Sequence, residues 1–430
     1  MTWILIFDLG EAYSGDRSYF EAQFKPAKSL MDTSKPVSGN RLFILFTAFL
    51  NLAGVGIIAP VLPFITGKYV EPDRVVFVGS LLFTSYSLFQ FIATPTLGAM
   101  SDRYGRRPVL LISLIGSAVG YLMLGIGGAL WMLFAGRIID GLTGGNISTI
   151  YAYAADITEP ENRTRFFGLL GAAAGLGFVF GPALGFASYN IFKTYEAPLF
   201  AASLLTMVNV LWGYFALPES LPVERRDQQL NLARLNPLTQ LVAVFAIPQV
   251  RLLLVATFLW AMSFACLQSN LSFLTEDQLG WDPGGTNSVF LVVGVVGIIT
   301  QGGLVRRLLR FGEARIATAG LISMTVGFGL ISLVALTKSP IPLFLGVIPV
   351  AFGNGLITPS LSGLLSGSVG RKEQGRIQGG NQSIQALGRV IGPLWAGWVY
   401  TVISPSSPYL IGAVVLVFGA MTVFYSVRNP

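Results

Sequence analysis

Long apolar runs alternate with short polar stretches along most of this chain. Each run is about as long as the roughly 20-residue helix that crosses the hydrocarbon core of a bilayer. The pattern therefore predicts an all-α membrane protein with twelve transmembrane helices. The twelve predicted spans are 42–67, 75–100, 109–128, 129–154, 166–192, 197–217, 248–275, 285–305, 316–337, 340–368, 377–403 and 407–427.

Basic residues are concentrated in the connections that follow even-numbered spans. These connections carry fifteen of them, whereas the opposite connections carry only Lys68, Arg74, Lys193 and Lys338. Because short loops rich in Lys and Arg stay in the cytoplasm, this asymmetry predicts that both termini are cytoplasmic. We expect the protein in the plasma, or inner, membrane.

The longest internal connection divides the spans into two groups of six. It covers 218–247 and is rich in proline and charge. The expected organisation is a cytoplasmic tail at 1–40, a six-helix half at 41–217, the linker and a second half at 248–430. A shift of 211 positions lays Gly181 and Pro182 on Gly392 and Pro393 without gaps, which indicates two pseudo-repeats in parallel.

Composition agrees with a membrane protein and excludes several classes of function. The chain is 53% hydrophobic and 11% charged, with a net charge of +7 that its loop arginines explain, so nucleic acid is not an expected partner. It has no histidine and one cysteine, so we expect neither a metal site nor a cofactor. No nucleophile–base arrangement is present, and we expect no enzyme. Any proton coupling must use carboxylates.

One polar hairpin, residues 98–108, lies between the second and third spans and reads Gly-Ala-Met-Ser-Asp-Arg-Tyr-Gly-Arg-Arg-Pro. Gly105 suits a turn with positive φ, and Pro108 suits the first turn of the next helix. Asp102 ends its own helix, where the macrodipole disfavours an acid, so an arginine or another helix N-terminus must hold it. A simple loop that sets topology would explain the arginines but not Asp102.

This hairpin resembles the signature loop between helices two and three of the major facilitator superfamily. The resemblance implies two six-helix repeats around a central substrate site, and a loop that latches the cytoplasmic side in one of two states. It assigns that latch to Gly98, Asp102, Arg103, Gly105 and Arg106. Asp156, at the cytoplasmic edge of span four, is a further candidate for the latch or an ordinary loop acid.

Span four contains two charges, Arg137 and Asp140, which are three residues apart and can pair on one helical face. The second half has Val347 and Val350 at the equivalent positions. The stretch resembles the superfamily's helix-four signature, whose arginine is linked to proton coupling in drug/proton antiporters. Asp140 departs from the usual neutral residue, so the pair is our candidate for coupling. A structural ion pair is the alternative.

Span five is rich in glycine and resembles the Gly-Pro signature that marks antiporter groups. The residues that carry the resemblance are Gly177, Gly181, Pro182 and Gly185. Glycines also permit close helix packing, and for each one singly that is the better explanation. Gly171 and Gly175 are expected to allow the same approach.

Scattered amides and aromatics on several spans predict a pocket for an amphipathic small molecule. Gln382, Gln385 and Arg389 form one polar stripe on span eleven, which should face the interior. The full set of candidate cavity residues is Asn51, Gln90, Trp260, Gln268, Asn354, Gln382, Gln385 and Arg389. Asn51 stands where the antiporters that span one resembles often have an acid, and an asparagine carries no proton at neutral pH.

Together these features resemble the drug/proton antiporters that include the tetracycline exporters. The resemblance implies a monomer in the lipid bilayer that exports an amphipathic drug or metabolite, powered by the proton gradient, and so confers antibiotic resistance. An uncoupled or substrate-linked facilitator of the same fold is one alternative. A sensor or scaffold that moves no cargo is another, although such a protein would be expected to carry a soluble domain.

Overall fold

The computed structural model describes residues 40–227, 236–369 and 374–428, and these residues contain helices and turns but no strand. Residues 1–39 of the predicted tail and 228–235 of the predicted linker lie outside the described residues. The long helices of the described part are α1 Arg41–Ile58, α2 Val75–Tyr104, α3 Arg106–Ile126, α4a Leu130–Gly144, α4b Ile147–Asp156, α5 Pro160–Phe192, α6 Ala197–Ala216, α7 Arg251–Leu279, α8 Pro283–Ile299, α9 Glu313–Ser332, α10 Pro340–Gly367, α11 Gln374–Val402 and α12 Ser407–Arg428. Shorter helices are Leu62–Thr66, Pro237–Phe245, Val305–Leu308 and Val334–Thr337.

Two predicted spans are broken in the structure. Span one stops at Ile58 and resumes as a short helix, because Pro60 has no N–H and its ring clashes with the preceding turn. Span four is interrupted between α4a and α4b at Gly145 and Asn146. A Cβ on Gly145 would lie 2.8 Å from the backbone nitrogen of Thr94 in α2, so the break coincides with a close approach of two backbones.

Nine helices of the described chain are long and apolar enough to cross a membrane. The other three predicted spans miss that standard for separate reasons. Span four is divided into α4a and α4b, α8 has 17 residues before it continues as a π turn, and α11 carries the polar stripe. The order of helices agrees with the predicted all-α architecture of twelve spans.

Glycines bring pairs of helices together in both halves. The backbone of α3 touches that of α4a at Gly120 and Gly136, where an added Cβ would lie 2.7 or 2.8 Å from the opposite carbonyl oxygen. The backbone of α9 touches α10 in the same way at Gly327 and Gly346, with corresponding distances of 2.5 and 2.7 Å. A side chain at any of these positions would push the helices apart.

Hydrogen bonds between helices α1–α6 and helices α7–α12 lie far from the 98–108 loop. In the described chain the Ser80 hydroxyl donates to Asn270 Oδ1 (3.1 Å) and the Thr84 hydroxyl donates to the Val390 carbonyl (3.4 Å). Both donors lie in the half of α2 that is remote from the loop. We call the side with the 98–108 loop the motif side, and the other the opposite side.

Candidate functional site

The motif loop is organised around the side chain of Arg106. Its Nη1 donates to Asp102 Oδ1 (2.5 Å) and to the Ser101 hydroxyl (2.6 Å), and its Nε donates to Asp156 Oδ2 (3.2 Å). The Arg106 side chain is 9% exposed, whereas that of Asp102 is 41% exposed. Arg106 therefore pairs with Asp102, which confirms one of the two kinds of partner that the sequence predicts for this acid.

Of the other predicted loop residues, the two glycines shape the backbone, and Arg103 contacts an aromatic ring. Gly105 has a φ of +103° and lies between α2 and α3, as the turn requires. A Cβ on Gly98 would lie 3.2 Å from the Ser148 hydroxyl, so α4b passes close to α2 there. Arg103 lies over the ring of Tyr104 at 5.3 Å and makes no ion pair with a described residue.

A carboxylate that was not predicted from the sequence binds the backbone of the same loop, although it lies outside residues 98–108. Glu219, just after α6, accepts hydrogen bonds from the backbone N–H groups of Arg106 (2.9 Å) and Arg107 (3.3 Å). It also lies 3.8 Å from the guanidinium of Arg226. A carboxylate at a helix N-terminus satisfies free N–H groups and complements the dipole of α3. The only sequence signal for this role is an acid directly after the end of span six.

The predicted pair in span four forms inside the protein. Arg137 Nη1 lies 3.2 Å from Asp140 Oδ2, and their side chains are 1% and 3% exposed. Arg137 Nε donates to the Leu82 carbonyl of α2 (3.3 Å), and its guanidinium lies 4.3 Å from the ring centroid of Tyr86. One carboxylate, one carbonyl and two aromatic rings, those of Tyr86 and Phe83, therefore surround this arginine.

The helix-five glycines lie against α1. A Cβ on Gly185 would lie 3.1 Å from the Ile57 carbonyl oxygen, and Cβ atoms on Gly177 and Gly181 would clash with the backbone of the same helix. A Cβ on Gly56 would lie 2.7 Å from the ring of Pro182. The pattern at 177, 181 and 185 thus shapes a helix contact.

The prediction that Gly171 and Gly175 of α5 also allow close approach of another helix is wrong. A Cβ on Gly171 or Gly175 meets nothing within 4 Å. Glycines spaced by four all suggest a contact face in sequence, but only the row at 177, 181 and 185 is turned toward α1.

Half of the candidate cavity residues are hydrogen-bonded to other side chains or to backbone. Asn51 donates to Asn146 Oδ1 (2.8 Å) at the break between α4a and α4b. Trp260 Nε1 donates to Asn354 Oδ1 (3.1 Å). Gln90 donates to the Tyr86 hydroxyl (2.8 Å) and to the Gly144 carbonyl (3.1 Å).

The remaining candidates make no hydrogen bond to a described residue. They are Gln268, Gln382, Gln385 and Arg389. Gln268, Gln385 and Arg389 are half-buried, whereas Gln382 is exposed. The polar groups of the α11 stripe are therefore not used by any described residue.

No cluster of His, Cys, Asp or Glu in the described residues is arranged to hold a metal ion.

Comparison with known proteins places this arrangement in a family. A family model described as Major Facilitator Superfamily matches residues 44–393 and, in a second match, residues 308–430. The chain belongs to the major facilitator superfamily. Its resemblance to that superfamily through the 98–108 loop is thereby confirmed.

The chain is also similar to individual proteins and to a solved structure. The chain is 33% identical over 365 residues to tetracycline resistance protein, class C, of Escherichia coli, a match that covers 84% of this chain and 90% of that one. It is 31% identical over 342 residues to major facilitator superfamily domain-containing protein 10 of Homo sapiens, which covers 76% and 73%. The crystal structure of that human protein, named as an organic anion transporter, superposes with a TM-score of 0.69 at 26% identity, covering 89% of this chain and 98% of that one.

Family, fold and relatives together define the protein coarsely. It is an integral, multi-pass membrane protein that transports a small molecule, and it is a transporter rather than an enzyme.

Proposed function

We propose that this transporter exports an amphipathic drug or metabolite in exchange for protons by alternating access. The observation that carries the proposal is the buried pair of Arg137 and Asp140 in α4a. The similarity to tetracycline resistance proteins supports export as the direction.

The pair supplies a physical link between protonation and conformation. A proton on Asp140 would cancel its charge and leave the guanidinium of Arg137 buried without a counter-ion. Removing one partner of a buried ion pair costs about 3–5 kcal/mol, which is enough to shift an equilibrium between two conformations. Arg137 also bonds to α2 through Leu82, so this change would be felt beyond α4a.

The motif loop supplies the second element of the cycle. In the described chain Asp102, Arg106 and Asp156 bond to one another and to residues 219–227 after α6, while the hydrogen bonds to α7 and α11 lie toward the opposite side. We propose that this arrangement is one of two alternating states, and that in the other state the loop contacts the second half. The motif side would face the cytoplasm of the inner membrane, with both termini there, and the protein would act as a monomer.

A growth assay tests export and coupling together. An efflux-deficient bacterium would express the wild type, Asp140→Asn or Asp73→Asn at matched levels, and growth inhibition would be measured across a drug panel that includes tetracyclines. Asp73 is an exposed acid on the opposite side, so its variant controls for loss of a carboxylate. We expect the wild type and Asp73→Asn to protect against some compounds and Asp140→Asn to lose that protection.

Other outcomes separate the two parts of the proposal. Equal protection by Asp140→Asn would keep export but remove Asp140 as the coupling residue. Protection by none of the three proteins, at confirmed expression, would contradict drug export.

An uncoupled facilitator is the second candidate, and the contact of Asn51 favours it. Asn51 is bound to another neutral amide, that of Asn146, where the resembling antiporters often carry an acid. Proteoliposomes with an imposed pH gradient distinguish the two functions. Substrate accumulation above the external concentration supports proton exchange, and equilibration at equal rates with and without the gradient supports facilitation.

A further inference from the structure

The membrane interior of the described chain carries more positive than negative charge. Its charged side chains away from helix ends are Arg137, Asp140 and Arg389, and all others lie near a helix end or in a connection. Asp140 already pairs with Arg137. Arg389 is therefore the surplus charge, and a lone cation at this depth is costly unless it meets a partner or water.

The position of Arg389 is set by its neighbours on α11. A Cβ on Gly388 would lie 2.8 Å from that of Ala261, and a Cβ on Gly392 would lie 2.5 Å from the Met262 carbonyl oxygen, so both glycines face α7. The next residue, Val390, accepts a hydrogen bond from Thr84 of α2. Arg389 is thus held near the midpoint of α11, where that helix lies between the two neighbours.

Arg389 has free donors for a ligand, because no polar group in the described chain uses them. It makes no hydrogen bond or ion pair there, although it interacts electrostatically with Tyr86 of α2. A guanidinium offers five N–H donors in a planar fork that suits a carboxylate. Gln385, four residues earlier on the same helical face, is also without a hydrogen-bond partner and can add an amide.

We propose that Arg389 binds the carboxylate of the transported molecule, so that the cargo is an amphipathic organic anion. This inference rests on the proposed function only in that the protein carries a small molecule. It adds that the anionic group lies near the midpoint of α11, beside the hydrogen bond that joins Thr84 of α2 to the Val390 carbonyl.

Direct binding of two dyes of similar ring structure tests this inference. Fluorescein, which is an anionic carboxylate, and rhodamine 123, which is cationic, would be titrated with purified protein in detergent while fluorescence anisotropy is recorded. The proteins are the wild type, Arg389→Gln, Arg389→Lys and Arg74→Gln. Arg74 is an exposed arginine on the opposite side and provides the matched control.

The expected result is selective. Arg389→Gln should weaken fluorescein binding by about tenfold or more, the scale of a charged hydrogen bond, while rhodamine 123 binds as before or more tightly. Arg389→Lys should recover most of the affinity, and Arg74→Gln should match the wild type.

Several results would overturn the inference. They are a wild type that does not bind fluorescein, a wild type that prefers rhodamine 123, and an Arg389→Gln protein that loses both dyes equally. If the wild type also protects cells against cationic drugs in the growth assay, the proposed export stands while the anionic cargo fails.

Discussion

The contact between α3 and α4a and the contact between α9 and α10 are built alike but filled differently. Each brings two helices to backbone contact at a pair of glycines, Gly120 with Gly136 and Gly327 with Gly346. Beside Gly136 the first contact carries Arg137 and Asp140. Val347 and Val350 occupy the equivalent places in the second contact, and both are fully buried.

The difference separates architecture from chemistry. Glycines recur because two backbones can approach only where no side chain intervenes, and both contacts need that approach. The ion pair occurs in one contact only, so close packing does not require it. A buried pair can be replaced by apolar residues at little cost in stability, and its presence on one side alone favours a role in transport.

The largest expected effect comes from removing only one member of the Arg137–Asp140 pair. Asp140→Val leaves the Arg137 guanidinium buried without its carboxylate and should lower the free energy of unfolding by about 3–5 kcal/mol. Thermal unfolding of purified protein in detergent, compared with the wild type, measures it. A melting temperature equal to that of the wild type would contradict a buried pair.

Replacing both members of the pair should separate their effect on stability from their effect on transport. Arg137→Val with Asp140→Val gives α4a the residues that α10 has and removes both charges together. We expect the double variant to recover most of the stability lost by the single one, and to remain inactive in the drug-panel assay. Full transport activity in a well-expressed double variant would show that the pair is only structural.

Glycine substitutions should affect the two contacts equally. Gly120→Ala and Gly327→Ala place a Cβ against an opposing backbone and should each cost about 1–3 kcal/mol of stability. Gly329→Ala is the matched control on α9, because its Cβ meets nothing within 4 Å. Unequal losses at Gly120 and Gly327 would mean that one contact can relax where the other cannot.

The smallest expected effect concerns the loops that begin α3 and α9. Gly105 and Gly312 both have positive φ, +103° and +97°, but only Gly105 lies against an acid from outside its loop, Glu219. Glu219→Gln should cost about 0.5–1 kcal/mol through weaker capping of α3. Thermal unfolding at low and high salt checks it, and a loss that does not shrink with salt would argue against a charge effect.

Much of the fold is readable from apolar runs, because a helix that crosses lipid must be mostly apolar over about 20 residues. The run at 75–100 predicts α2, observed as Val75–Tyr104, and the run at 197–217 predicts α6, observed as Ala197–Ala216. The breaks at Pro60 and at Gly145 were not predicted. An apolar run looks the same whether its backbone continues or turns inside it.

The candidate site was predictable where its partners are close in sequence. Arg137 and Asp140, three residues apart, form the expected pair, and Asp102 has one of the two kinds of partner expected for it, the arginine Arg106 four residues later. Helical spacing places Arg137 and Asp140 together on α4a, whereas the turn at Gly105 brings Arg106, the first residue of α3, back to Asp102 at the end of α2. Glu219 was missed because more than 110 positions separate it from the N–H groups it accepts from.

By itself the sequence determined the membrane class, the succession of spans and the local charge pairs, since hydropathy and helical periodicity act over short distances. Only the tertiary structure decided which row of glycines faces α1, which carboxylate caps α3, and that Asp140 is satisfied while Arg389 is not. These properties depend on which helix lies next to which, and that is set by packing between residues far apart in the chain.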